Sequence, residues 1–204
     1  MKFSFGHTEA IIFAADQDNM KMTRIVTRRF SFPCGDLVLG AAGDRLCLCD
    51  WAEGRNRDAI RRRLERELGA FSDDMGTDAD SAEESVINAA AEQLNEYFGG
   101  LRKSFDIPLL TVGTDFQKKV WRLLTSIPYG STISYAGLSE MLGCPGTVRA
   151  VANANGANAI SIFIPCHRVI GSDGSLTGYA GGLDAKRFLL DLEAGEKDLL
   201  RLQY

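Results

Sequence analysis

The sequence predicts two unlike parts: a small antiparallel sheet with helices packed on it over residues 23–108, and a mostly helical part over residues 109–204. Three observations carry this. Short apolar runs broken by turn residues fill residues 29–51, as strands and tight turns require. From residue 57 onward, apolar residues recur at helical spacing. Residues that start or stop helices then punctuate the chain at Ser81, Gly99-Gly100, Thr114, Ser134 and Gly143.

Residues 1–22 are weakly patterned and read as an N-terminal extension, with Met20 and Met22 as alternative starts. Arg29-Phe30-Ser31-Phe32 and residues 37–42 read as strands around a Pro33-Cys34-Gly35-Asp36 turn, and Arg45 to Trp51 continues as a third. Arg57 to Leu68 is a charged helix that turns Ile60, Leu64 and Leu68 inward. An acidic, small-residue loop follows over residues 73–80. Ser81-x-x-Glu84 is a capping box for a helix through Phe98, with Val86, Ala90, Leu94 and Tyr97 or Phe98 on the buried side.

Residues 101–112 connect to the second part, which Thr114-x-x-Gln117 opens by capping a helix that carries Phe116, Val120, Leu123 and Leu124. Ser134 caps a short helix, Tyr135 to Leu142, and Pro145 stands at the first turn of the next. Two short helices on a tight turn are a helix-turn-helix candidate, although any helical bundle contains such pairs. The second helix carries Ala150, Ala152, Ala154 and Gly156, which suits close approach to a flat partner and tight helix packing equally. Residues 160–164 read as a buried strand or extended run delivering Cys166. Loops follow at residues 171–175 and 178–182, then a last helix from Asp184 to Glu193 with Phe188, Leu189 and Leu192 inward.

The 204 residues suffice for a real core, and no run approaches the ~20 apolar residues that span a bilayer. With no signal-peptide pattern and five unclustered cysteines, the expectation is a cytoplasmic protein in a reducing compartment, without a disulfide framework. Cys47 and Cys49 would share one face of a strand, either in the core or as half of a metal site that nothing completes; no metal is expected. The net charge of −4 speaks against a nucleic-acid partner, but it is uneven. Residues 1–100 hold 12 Lys+Arg against 18 Asp+Glu, whereas residues 101–204 hold 11 against 9, which allows a basic face there.

Chemistry concentrates in Pro165-Cys166-His167-Arg168. A thiol beside a base can be deprotonated, and the thiolate is the reactive form. Of the two histidines, His7 lies in the unpatterned N-terminus, so His167 is the candidate base and Cys166 the candidate nucleophile. Neighbours on an extended chain point apart. Either the backbone turns there or a water bridges thiol and imidazole. Glu193 is one of nine acidic residues in the second half that could orient the ring. A buried structural thiol beside a packing histidine, and a cysteine hydrolase of another fold, remain as alternatives.

Residues 164–170 resemble the active-site signature of the O6-alkylguanine-DNA alkyltransferases, the methylated-DNA–protein-cysteine methyltransferase family. Phe116-Gln117 with Val120-Trp121, Ile133-Ser134-Tyr135, Arg149-Ala150-Val151, Asn158, residues 178–183 and residues 186–193 follow in the family's order and spacing. The likeness is firm over residues 109–204 and only in outline before that. It implies a ribonuclease-H-like N-terminal domain and a C-terminal helix-turn-helix domain. By the same resemblance, Cys166 would accept an alkyl group from guanine O6 irreversibly, His167 would take its proton through a water, Glu193 would fix the imidazole, and Asn158 would hold the turn. Tyr135 would contact and protonate the base, and Arg149 would fill the gap a flipped base leaves. Val169, Ser172, Tyr179, Ala180 and Gly181 would line the pocket. The implied partner is double-stranded DNA met in the minor groove by a monomer, with no cofactor and no membrane. A lesion-binding relative without transfer is the alternative; such relatives lack the cysteine. Ala159, Ser161, Ala152 and Ala180 depart from residues common in the family, which bears on substrate breadth.

Overall fold

The computed structural model describes residues 24–54, 56–72 and 81–195; the expected extension over 1–22 and acidic loop over 73–80 lie outside these. Three antiparallel strands come first: β1 (Arg24–Phe32), β2 (Gly35–Ala42) and β3 (Arg45–Trp51). The helix α1 (Arg57–Leu68) then leads to a short β4 (Ala70–Ser72). β4 pairs parallel to β1, so the sheet is mixed, in the order β3-β2-β1-β4, where the sequence led us to expect antiparallel pairing alone. The reason is connectivity: a helical crossover returns the chain in the same sense. Three residues gave the sequence too little pattern to register.

Ser81 caps α2 (Ala82–Phe98) by accepting the Glu84 amide, and α2 packs across β1, β2 and β3. Its buried face is Ile87, Ala90, Ala91, Leu94 and Tyr97; Val86 is only half-buried, so the stripe begins one residue later than expected. Against it lie Ile25, Leu37, Leu39 and Leu46 of the sheet, all without solvent exposure. The turn between β1 and β2 is shorter than expected, because β2 already starts at Gly35.

In the second half, Thr114 and Gln117 form a full capping box on α3 (Asp115–Thr125), which buries Val120, Trp121 and Leu124. A two-residue β5 (Ile133–Ser134) precedes α4 (Tyr135–Met141), capped by Ser134, and α5 (Val148–Gly156) packs on both α3 and α4. Pro145 is not in the first turn of α5. It occupies a turn closed by the Thr147 amide on the Cys144 carbonyl at 3.2 Å, with Gly146 at φ +93°. Pro then Gly with positive φ is what a type II turn selects. The last described elements are β6 (Val169–Ile170), parallel to β5, and α6 (Gly182–Ala194). Leu189 is fully buried in α6, whereas Phe188 and Leu192 are partly so.

Residues 160–164 are buried as expected but are no strand. The Ile164 amide folds back onto the Ile160 carbonyl at 2.9 Å, and Ile162 takes φ +74°. That backbone is costly for a β-branched residue, so it is held from outside. The Asn158 side chain provides the hold, accepting the Ile160 amide at 3.0 Å and donating to the Ile164 carbonyl at 2.9 Å.

The sheet half grips this turn directly. The Cys49 amide donates to the Ala159 carbonyl at 2.8 Å, and the Ser161 amide donates to the Cys49 carbonyl at 2.7 Å. Asn56 and Arg63 donate to the Gly156 and Ala157 carbonyls at the end of α5, each at 2.8 Å. Trp51 packs edge-on to Tyr179 at 5.7 Å and lies flat against Gly181. A Cβ at Gly181 would sit 2.3 Å from the indole. Gly181→Ala therefore forces the ring aside, at about 1–3 kcal/mol for an overpacked site. Urea unfolding should show this loss, and an unchanged midpoint would contradict the packing.

Candidate active site

Cys166 opens a 3-10 turn, Cys166–Arg168, so the backbone does turn at the thiol. Asn158 Nδ2 donates to Cys166 Sγ at 3.3 Å with the same amide that holds Ile164. One side chain thus fixes both the strained turn and the sulfur. The His167 ring is fully buried beside it, and its Nε2 lies 2.8 Å from Glu193 Oε1. A carboxylate only accepts, so Nε2 carries the proton and Nδ1 presents a lone pair. Nδ1 is buried without a hydrogen-bond partner among the described residues, and thiol and imidazole do not bond directly.

Glu193 is the best-connected group of the site. Arg168 clamps it with two bonds, Nε to Oε2 at 2.8 Å and Nη2 to Oε1 at 2.9 Å. The Tyr97 hydroxyl donates to Oε1 at 2.8 Å, and the Gly130 amide donates to Oε2 at 3.0 Å. Arg168 also donates from Nη1 to the Ile127 carbonyl at 2.6 Å. Burial alone would raise the Glu193 carboxyl; the bonds and charges of His167 and Arg168 override it and hold it well below the usual carboxylate range. Burial lowers His167, with Glu193 opposing, so the ring rests neutral. Burial pushes the Cys166 thiol up, partly offset by the Asn158 bond and the Lys186 charge. The resting site is therefore a protonated thiol, a neutral imidazole and a carboxylate.

In front of these groups an open cleft of about 860 Å³ is lined by Tyr135, Arg149, Ala152, Asn155, Tyr179 and Ala180, among others. Arg149 is exposed at its edge, and burial raises the Tyr135 phenol, which keeps it neutral. Cys166 lies just behind the cleft, 4% exposed, with Asn155 Nδ2 3.4 Å from its carbonyl. Three expected pocket residues are not on the cleft lining. Ser172 is exposed on a turn, Gly181 lies beneath Trp51, and the Val169 carbonyl accepts from buried Lys186 Nζ at 2.6 Å. Lys186 also donates to the Thr177 carbonyl at 2.8 Å, tying the cleft wall to β6. Its pKa is lowered by burial to about 8.

Sequence reading missed Arg168, Tyr97, Gly130, Asn155 and Lys186. Arg168 carried a signal, a charge between the Cys166-His167 pair and the apolar Val169-Ile170, whereas Lys186, beside Arg187 and near Asp184, carried none. Tyr97 was read as core, since periodicity reports the ring and not the hydroxyl. Among the described residues, no group of three His, Cys, Asp or Glu side chains is placed to hold a metal ion. No described helix is long and apolar enough to cross a membrane.

A buried cysteine with an amide on its sulfur, a histidine–carboxylate pair beside it and a cleft edged by an arginine and a tyrosine are the parts that a cysteine nucleophile served by a base requires. Comparison with known proteins narrows the class. The 6-O-methylguanine DNA methyltransferase DNA-binding domain matches residues 115–195. The constitutive methylated-DNA–protein-cysteine methyltransferase of Bacillus subtilis is 40% identical over 162 residues, 79% of this chain and 90% of the relative. Its Mycobacterium tuberculosis counterpart is 53% identical over 108 residues, 53% of this chain and 66% of the relative's length. A crystal structure of Mycobacterium tuberculosis OGT in complex with DNA superposes with a TM-score of 0.68 at 39% identity, covering 85% of this chain and 94% of that one. The O6-methylguanine-DNA methyltransferase of Pyrococcus kodakaraensis gives 0.54 at 28% identity, covering 83% and 98%. This chain belongs to the methylated-DNA–protein-cysteine methyltransferase family.

The carboxylate dictates a pH response. A carboxyl held low when folded contributes stability above its unfolded pKa of ~4.3 and loses it as pH falls below that value. His167, held neutral, acts in the same sense: the unfolded ring binds a proton below ~6.5 that the folded one resists. Stability should thus decline with acidification in two stages, read from urea midpoints. Glu193→Gln leaves Arg168 buried and unpaired, at about 3–5 kcal/mol at neutral pH, and flattens the lower stage. A Gln variant as stable as the parent would contradict this.

Proposed function

We propose that the protein repairs DNA by transferring an alkyl group from guanine O6 to Cys166 in a single, irreversible reaction. The observation that carries this reading is the pair of contacts Asn158–Cys166 and His167–Glu193 behind the cleft, with His167 Nδ1 buried and lacking a partner among the described residues. A water between Nδ1 and the thiol completes the path. The thiol proton then passes to the imidazole as sulfur attacks the alkyl carbon in line and the C–O6 bond breaks. Guanine departs as an anion, to which the neutral Tyr135 phenol can give a proton; the imidazolium then releases the former thiol proton to solvent, and the phenolate takes one up from solvent to regain its neutral form. The product is a thioether that no residue here can hydrolyse, so each molecule reacts once and no cofactor takes part.

The O6 group of a paired guanine faces the major groove, and its carbon must meet sulfur in line, so the base has to leave the stack. Extrusion costs a few kcal/mol, less for a poorly pairing lesion. We take α4 and α5 as a helix-turn-helix whose small-residue helix enters the minor groove, ~6 Å wide in B-form DNA. Arg149 then fills the vacated position, and the Tyr179 and Ala180 wall, with Val169, Ser172 and Gly181 nearby, receives the base. Residues 23–108 form a ribonuclease-H-like domain and 109–204 the transfer domain of a cytoplasmic monomer. The family's DNA-bound crystal structure supports DNA as partner, and the retained Cys166 favours transfer over a lesion-binding role alone.

The test is stoichiometric. Incubated with a duplex containing one O6-methylguanine, the peptide holding Cys166 should gain one methyl group by mass. The gain should saturate at one per molecule and vanish in Cys166→Ser. Product formation beyond one equivalent would sink the proposal, and binding without any mass gain would favour the lesion-binding alternative.

A further inference from the structure

We propose that Tyr97, in the sheet-bearing half of the chain, is a positioning residue for the His167–Glu193 pair, so that the proton path of Cys166 is completed from outside the transfer domain. The inference rests on the alkyl-transfer reading above.

Tyr97 lies on α2, without solvent exposure, and reaches across 96 residues of sequence to Glu193 Oε1 at 2.8 Å. That oxygen is also the acceptor for His167 Nε2. Core packing alone would be served by phenylalanine. The ring already sits against Phe98 at 5.4 Å, Phe105 at 5.5 Å and Tyr129 at 6.1 Å, and none of these contacts uses the hydroxyl. The hydroxyl therefore matters for one thing, the electron density on Oε1. Burial, and then Glu193, raise the phenol well above its usual range, so it remains a donor across all working pH.

Its effect on the base has a definite sign. A donor on Oε1 makes that oxygen a weaker partner for an imidazolium, which keeps His167 neutral and able to accept the thiol proton. Removing the donor strengthens the grip of Glu193 on a charged ring and raises the His167 pKa. The other groups facing the pair would remain in place. Arg168 and Lys186 disfavour the imidazolium by charge. Tyr129 stands half-buried beside the Arg168 guanidinium, at 5.8 Å, and Tyr179 lies 6.5 Å from the imidazole. The Cys166 thiol is neutral at rest.

Tyr97→Phe keeps the ring and deletes the donor. The chain has two histidines, so an imidazole ¹⁵N NMR titration gives two pairs of ring-nitrogen signals, and His7→Ala assigns them. In Tyr97→Phe the His167 midpoint should move up by about half a unit or more. The acid limb of the methyl-transfer rate should move with it, with about a threefold or larger loss of rate on the acid side. A His167 midpoint unmoved by Tyr97→Phe overturns the proposal, including the case where the rate falls equally at every pH, which would mark a merely structural role. The titration needs no transfer activity, so a failed transfer reading and a failed role for Tyr97 give different results.

Discussion

A carboxylate 5% exposed to solvent has to find its hydrogen bonds inside the protein, and the need of Glu193 for them organises much of this molecule. It gathers four donor groups from three places: the imidazole and guanidinium of the 3-10 turn, the amide of Gly130 after α3, and the phenol of α2. Taking such a charge out of water costs several kcal/mol, repaid only when every lone pair is occupied. That condition brings helix α6, the turn carrying the thiol and the first half of the chain into one arrangement. The same arrangement sets the imidazole tautomer and aims Nδ1 away from the carboxylate. The fold and the proposed proton path therefore depend on a single group.

Asn158 plays the complementary part on the sulfur side. Its amide satisfies the backbone at both ends of the turn around Ile162, and the remaining donor capacity falls on Cys166 Sγ. Strain in that turn is balanced by core contacts such as Phe163 on Phe105 at 4.5 Å and by the Cys49 backbone. The thiol is thus held rigidly but kept protonated, since burial outweighs the groups that favour its charge. In the proposed reaction, the thiol stays inert until a substrate supplies an electrophile and the proton has somewhere to go.

Much of this was legible in the sequence, and the gaps have physical causes. Local chemistry was readable: the Thr114–Gln117 capping box, the Ser81 and Ser134 caps, and the Ile60–Leu64–Leu68 stripe appear where the residues put them. Cys166, His167, Asn158 and Glu193 were named from the motif and its resemblance, and the structure brings them within hydrogen-bond distance of one another or of a common partner. What failed was non-local or below the resolution of a pattern. The parallel pairing of β4 depends on a crossover and not on its three residues. The run over 160–164 is apolar enough for a strand, yet an asparagine two residues upstream folds it back. Pro145 fits a helix start and a type II turn equally, and only Gly146 decides. Tyr97 and Arg168 escaped notice because their partner lies far along the chain, 96 and 25 residues away.

The central claim is that Cys166 rests as a thiol and loses its proton only along the His167–Glu193 path. The most direct test is the ultraviolet thiolate absorbance of the parent minus that of Cys166→Ser, followed against pH without DNA. The account predicts no thiolate at Cys166 at neutral pH, with ionisation appearing only above the ordinary cysteine value of ~8.5. A thiolate already formed at neutral pH would contradict it, because the cysteine would then be a standing nucleophile in no need of a base.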